Sequence, residues 1–335
     1  IGMIILTLRK LKMSRLVNFN GKLIPENEAK ISIYDSALMF GDMVFEMTRS
    51  FNKKQFKLEE HVDRLLAGIK VLRIPLKEDK KMILNRCHET IEANEEFFND
   101  DDEHRLMIDV SRGLLGIYED VEGLQKGPNL IIADFPLKWT VSSMGHLFDE
   151  GINAAVPSQR AIPAYLMDPK IKNRSRLFYL NANIEVSEIK TKNSWALLLD
   201  PDGFVTEGTG DNFFIVKDKK VISPEPRNLL RGISREYVMT DLCNQLGYEV
   251  IEKNIDLYDV YTADEAFMTG TPFCMLPVTS LNGLDISDGK RGEIFDSLLS
   301  KWSSNVGVDI EKQIKSWNKS NEGQNTDSPT PYKFK

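Results

Sequence analysis

Asp168-Pro169-Lys170-Ile171-Lys172-Asn173-Arg174-Ser175-Arg176-Leu177 is the stretch around which the other signals of this chain arrange themselves. Pro169 favours an extended or turn approach, and Leu177, Leu180 and Ile184 follow at helical spacing. Lys172 therefore stands where an irregular segment feeds a helix, a position from which an amine can point back into a cleft. A lone lysine in a lysine-rich chain is ordinarily solvated, so the case for a reactive Lys172 rests on residues elsewhere.

Upstream, Leu16 to Pro25 reads as two short strands around the turn Asn20-Gly21. A strand-like run from Met43 to Phe51 follows Phe40-Gly41-Asp42. Residues 59–73 are predicted as a helix with Val62, Leu65, Leu66, Ile69 and Leu72 on one face, and Arg64 off that stripe. A second helix is predicted over 80–94. Buried strands are predicted over 105–110 and 130–134, separated by a Gly-containing loop.

Downstream, strands are predicted at 152–156, 194–199, 204–207, 212–216 and 265–268. Leu230-Arg231-Gly232-Ile233-Ser234 opens a helix to Leu246, which Gly247 ends. The fold class is mixed α/β, without a fixed-period repeat or a G-x-G-x-x-G fingerprint. The expected organisation is a small N-terminal α/β domain over 13–138, a linker over 139–150, a larger domain over 151–314 and a mobile tail over 315–335.

At 335 residues with a net charge of −7, the chain holds two domains and lacks the basic balance of a nucleic-acid binder. Cys87, Cys243 and Cys274 are scattered without metal-ligand spacing and read as thiols of a reducing, cytoplasmic compartment. No metal site and no membrane span is expected. Ile1 to Leu8 has the apolarity of a short signal segment but no cleavage site, and Met13 is the expected start of the folded protein.

A phosphate clamp, a carboxylate for a ring nitrogen and an amine for an aldehyde are the demands of pyridoxal 5′-phosphate, and a candidate exists for each. Gly232-Ile233-Ser234 offers a helix N-terminus for phosphate, Thr271 a hydroxyl and Arg64 a forked cation. Glu207, at a strand end before a glycine break, suits a protonated pyridine nitrogen. Taken singly, Arg64 and Glu207 would ordinarily be solvated side chains.

Together the segments resemble the fold-type IV, or class IV, pyridoxal-phosphate aminotransferases. The resemblance is carried by Phe40 to Glu46, Glu60 to Leu65, Ile171 to Asn173, Val205 to Phe214, Leu230 to Arg235 and Ala263 to Thr271, in the family's order. It implies a larger domain with barrel-like sheets, the cofactor lying between the domains, and at least a homodimer whose partner loops close the substrate pocket. It also implies Lys172 as Schiff-base lysine and proton shuttle, Glu207 at the pyridine nitrogen and Arg64 on the phosphate. The backbone of Gly232, Ile233 and Ser234, with Thr271, holds the remaining phosphate oxygens. Phe40, Phe45, Arg105, Tyr118, Gly270, Thr271 and Pro272 are the implied substrate-binding positions.

The activity implied is ping-pong transfer of an amino group from an amino acid, of the branched-chain type by preference, to a 2-keto acid. Phe45-Glu46 and Arg105 resemble the branched-chain enzymes, whereas Asp168-Pro169-x-Ile171-Lys172-Asn173 resembles the (R)-amine group. An (R)-amine or D-amino-acid transaminase and aminodeoxychorismate lyase are the alternatives of the same fold. Two departures bear on substrate choice: Leu177 stands where branched-chain enzymes place a tyrosine, and Pro272 has no N–H to offer a carboxylate. Arg174 and Arg176 are either compensating cations or solvated residues at a helix start.

Overall fold

The structure, a computed structural model, describes residues 14–318 and Phe334. The expected start at Met13 and most of the expected tail lie outside the described residues. Two compact units account for the chain: residues 1–137 with 171–175, and residues 138–170 with 176–335. The pentapeptide carrying Lys172 thus belongs to the first unit, although the chain on either side of it belongs to the second.

In the first unit, β1 (Leu16–Phe19) and β2 (Lys22–Pro25) form the predicted hairpin. Asn20 and Gly21 both have positive φ, as a two-residue turn with this twist demands. Helix α1 (Ser36–Phe40) precedes β3 (Met43–Met47); β4 (Ser50–Phe51) and β5 (Lys54–Gln55) pair with each other. Helices α2 (Leu58–Leu72) and α3 (Lys80–Asn94) lead to β6 (His104–Ser111) and β7 (Asn129–Pro136). The sheet order is β2-β1-β7-β6-β3, which leaves β3 at an edge.

Strand alternation gives this sheet two different faces. Val44, Leu106, Ile108, Val110, Leu130 and Ile132 point to one side, where Val62, Leu65 and Ile69 of α2 and Ile83 and Cys87 of α3 complete the core. Phe45, Arg105, Met107 and Asp109 point to the other.

The second unit contains β8 (Ile152–Ala155), helix α4 (Leu177–Ser187), β9 (Ser194–Leu199), β10 (Val205–Gly208), β11 (Asn212–Lys217), β12 (Lys220–Pro224), β13 (Val250–Lys253), β14 (Glu265–Gly270), β15 (Cys274–Leu281) and β16 (Leu284–Asp285). The path β10-β9-β8-β15-β14-β11 returns to its start because β11 also pairs with β10, so these strands close into a barrel. The closing pair is Glu207 opposite Asn212. β12 and β13 extend the sheet beyond β11, and β16 pairs with β15. Residues 233–246 run as one helix with a π-helical stretch at Tyr237–Leu242, and Gly247, at φ 74°, ends it.

Two expectations need correction. Residues 139–150, read as a linker, lie in short helical turns, Lys138–Val141, Ser142–Met144 and Leu147–Glu150, and belong to the second unit. Residues 315–318, read as the start of a mobile tail, close the helix Ile310–Asn318, where Ile310, Ile314 and Trp317 are buried. On α4, Leu177 and Ile184 are exposed; Ala182 and Val186, with Phe178 and Tyr179, pack instead on Ala155, Ala196 and Leu198. Apolar residues run all round this helix, and small alanines allow the closest approach to the barrel.

Candidate active site

Lys172 is positioned by main-chain pairing. Phe45 N donates to Lys172 O (3.0 Å) and Arg174 N donates to Met43 O (3.2 Å), with Asn173 opposite Val44. Residues 172–174 therefore lie along the free edge of β3 as a short antiparallel strip, and alternation turns Lys172 and Arg174 to the same side as Phe45. Lys172 Nζ lies 4.6 Å from the centre of the Phe45 ring, and the Arg174 guanidinium carbon 3.7 Å from it. Arg174 Nε and Nη2 both donate to Asp109 Oδ1, at 3.1 and 2.9 Å.

Arg105 stands on the same face, two residues of that face away from Asp109 along β6. It is 8% exposed, and its Nε and Nη1 are buried without a hydrogen-bond partner. Nη2 reaches only Met47 Sδ, at 3.5 Å. Burial, and then the charges of Arg49 and Arg174, bring its pKa down to about 10.

Arg64 belongs to α2 and is held by Glu46 of β3. Its Nε and Nη2 donate to Glu46 Oε1 and Oε2 at 2.6 and 2.7 Å, and His61 Nδ1 meets Glu46 Oε2 at 2.7 Å. Burial alone would raise the Glu46 pKa, but Arg64 and His61 outweigh it and hold it at about 2. Burial lowers the His61 pKa, so a neutral ring donates its Nδ1 proton to a carboxylate. Arg64 is therefore an oriented ion-pair member, not a solvated helix residue.

Phe40 ends α1 at 66% exposure, and Tyr118 stacks on Tyr34 with ring centres 4.5 Å apart. Phe45 is buried. The first unit thus gathers Phe45, Arg105 and Lys172 on one sheet face, and Ser175 Oγ, just after the strip, donates to Phe40 O at 3.3 Å.

In the second unit, Glu207 is buried and accepts from Tyr179 Oη (2.7 Å), Asn212 Nδ2 (3.0 Å) and Leu230 N (3.0 Å). Burial, with the Glu207 charge beside it, raises the Tyr179 pKa well above the ordinary phenol value, so the phenol stays a donor. Asn212 Nδ2 also donates to Leu230 O at 2.9 Å. A Cβ on Gly232 would come 2.0 Å from Asn212 Oδ1, so glycine is needed there for Asn212 to reach Glu207. Arg176 Nη2 donates to Thr209 O. Asp211 is buried near Glu207 with Oδ1 unpartnered, and burial together with that charge pushes its pKa up to about 8.

No side chain caps the helix that starts at Ile233 after Gly232, and Ser234 is buried in its first turn. Asn212 pairs in register with Thr269, whose hydroxyl is buried and unpartnered. Gly270, Thr271 and Pro272 make the tight connection from β14 to β15, and Phe273 packs so closely that a Cβ on Gly270 would lie 2.7 Å from its ring. Sequence reasoning missed Tyr179, Asn212, Asp109 and Thr269 as members of these groups. Asn212 and Thr269 had a local signal, their places in the segments Val205 to Phe214 and Ala263 to Thr271.

Residues 43–281 match the family model of amino-transferase class IV. The chain belongs to the class IV aminotransferases. This class IV aminotransferase is 33% identical over 87% of its length, and 98% of the relative's, to a putative branched-chain-amino-acid aminotransferase of Methanocaldococcus jannaschii. The branched-chain amino acid aminotransferase of Escherichia coli superposes with a TM-score of 0.78 at 26% identity, covering 87% of this chain and 94% of that one. The branched-chain amino acid aminotransferase of the archaeon Thermoproteus uzoniensis, solved with norvaline, matches with a TM-score of 0.74 at 27% identity over 91% of this chain and 97% of that one. A further branched-chain enzyme among the structural matches was solved with N-(5′-phosphopyridoxyl)-L-glutamate. Membership makes the protein a transaminase, of a class whose enzymes use pyridoxal phosphate. Among the described residues no helix is long and apolar enough to cross a membrane.

Proposed function

We propose that this transaminase uses pyridoxal 5′-phosphate to pass an amino group from a branched-chain amino acid to a 2-keto acid. The names of the relatives support the substrate class. The observation that carries the cofactor is the buried Glu207 carboxylate, which accepts from three donors at the barrel's closing pair. The uncapped helix start after Gly232 and the orphan Thr269 hydroxyl fit a phosphorylated ring in the same unit.

Bound, the cofactor supplies an aldehyde for the amino group and a ring that spreads the charge left when the α-carbon loses its proton. Lys172 Nζ would hold the cofactor's aldehyde carbon and, as a free amine, would take the substrate's α-proton and return it. Glu207 holds a proton on the ring nitrogen. The N–H groups of Ile233 and Ser234, the Thr271 hydroxyl and the Arg64 guanidinium bind the phosphate. Glu46 aims Arg64 by engaging two of its nitrogens. Phe45 and Arg105 line the substrate's path.

A homodimer is part of this reading. Ile33, Leu38, Phe40 and Ile117 are each more than 60% exposed on two adjoining segments, joined by the Asp35–Leu114 bridge and the Tyr34–Tyr118 stack. A second copy of the chain suits such an apolar patch. The three free cysteines are buried, which accords with a cytoplasmic setting.

The test is the visible spectrum of the protein with pyridoxal phosphate, before and after L-leucine. A yellow band that moves to the pyridoxamine form is expected. A band indifferent to L-leucine but responsive to D-amino acids or (R)-amines overturns the donor class, and no band overturns the cofactor.

A further inference from the structure

We infer that Arg174, braced by Asp109, is a specificity-determining residue that binds a substrate carboxylate beside Lys172. The inference rests on the transaminase reading and adds to it a residue that the resemblance does not assign.

The geometry of one sheet face carries it. Phe45 and Asp109 are opposite each other in the β3–β6 ladder, and the strip 172–174 continues that ladder outward. Lys172 and Arg174 consequently share the Phe45 ring as a floor. Asp109 engages Nε and Nη2 of Arg174 through a single oxygen, which fixes the guanidinium plane and leaves Nη1 for an incoming acceptor. The Arg174 side chain is 30% exposed, so a solute can reach it.

A second observation points to an anion. Arg105, buried on this face, has two nitrogens without acceptors, and Arg174 is one of the two neighbouring cations that lower its pKa. A buried guanidinium with unmet donors is costly to hold beside a like charge. A carboxylate entering next to Arg174 offsets the like charge that Arg174 and Arg105 place on this face. Asp109 neutralises only one of the two charges and cannot do this alone.

The carboxylate has two possible sources, the α-carboxylate common to every substrate and the side-chain carboxylate of a dicarboxylic donor or acceptor. The experiment separates them. Binding of two unreactive acids, glutarate and 4-methylpentanoate, to the cofactor-loaded protein is measured by calorimetry for wild type and Arg174→Ala. KM and kcat for L-glutamate and L-leucine are measured alongside. Arg174→Ala is expected to weaken binding by roughly tenfold or more, the scale of a lost charged hydrogen bond, with the loss in KM rather than kcat. A loss confined to glutarate and L-glutamate assigns the side-chain carboxylate; an equal loss for all four assigns the α-carboxylate. Arg174→Lys is expected to recover part of the affinity.

Arg174→Ala leaves Asp109 buried without its partner, so the double variant Asp109→Asn with Arg174→Gln, which removes both charges, is measured as well. Unchanged affinity for both acids in that variant, or a fall in kcat at constant KM, overturns the inference while leaving the transaminase standing. A protein that takes up no cofactor and transaminates nothing overturns the functional reading and this inference with it.

Discussion

Tyr179 donates its phenolic hydrogen to Glu207 across 2.7 Å, from a helix that packs on the barrel to a strand that closes it. The phenol's raised pKa keeps that proton in place at any working pH. Removing it with Tyr179→Phe leaves one carboxylate oxygen with a partner fewer. A hydrogen bond to a charged acceptor is worth about 1.5–3 kcal/mol, so kcat is expected to fall roughly ten- to a hundredfold. Steady-state rates with a melting curve check this; an unchanged kcat means that Asn212 and Leu230 suffice to orient Glu207.

Lys172→Ala removes the proposed nucleophile and the proposed proton carrier together. Turnover is expected to drop by roughly 10⁴-fold or more while the circular-dichroism spectrum and melting temperature stay close to wild type. The strip's hydrogen bonds to β3 use backbone atoms only, which is why the fold survives. A variant with full turnover would sink the assignment of Lys172.

Glu207→Ala is expected to lower kcat more than cofactor occupancy, because the proposed partner of the carboxylate is the ring nitrogen and not the phosphate. Titrating pyridoxal phosphate into the variant and comparing half-saturation with kcat tests this. Equal losses in both would contradict the role.

Glu46 makes stability depend on pH in acid. Its folded pKa of about 2 lies below the ordinary 4.5, so its contribution is complete above pH 4.5 and is lost as pH falls toward 2. The size of the shift corresponds to about 3 kcal/mol. Urea unfolding at several pH values in that window is expected to show the loss in wild type and to lack it in Glu46→Gln, which should be destabilised at neutral pH by the broken network.

Asp211 acts in the opposite sense. Its pKa rises from 3.8 to about 8 on folding, so the native state holds a proton that the unfolded chain releases across that window. Stability is therefore expected to decline as pH rises from 4 to 8, and Asp211→Asn to flatten the decline. A wild-type profile without that slope would mean Asp211 is charged in the fold.

Much of the architecture is written locally. The Asn20-Gly21 turn, the helix over 80–94 and the strand at 194–199 stand where turn chemistry and periodicity place them. Lys172, Glu207 and Gly232 could be named as candidates because each sits in a short segment with its own backbone signal. Their partners were not. Tyr179 meets Glu207 from 28 residues away and Arg174 meets Asp109 from 65, and no window of sequence encloses such pairs. Arg64 shows the same limit: off its helix's apolar stripe it looks solvated, and only the fold brings Glu46 beneath it.

The strip at 172–174 has a consequence for the protein's life outside catalysis. A bare edge strand such as β3 is a template on which another chain can add itself. Here the peptide that presents the lysine also occupies that edge. Fraying of this strip would expose pairing groups for self-association, so selection that keeps the lysine aimed also keeps the protein dispersed.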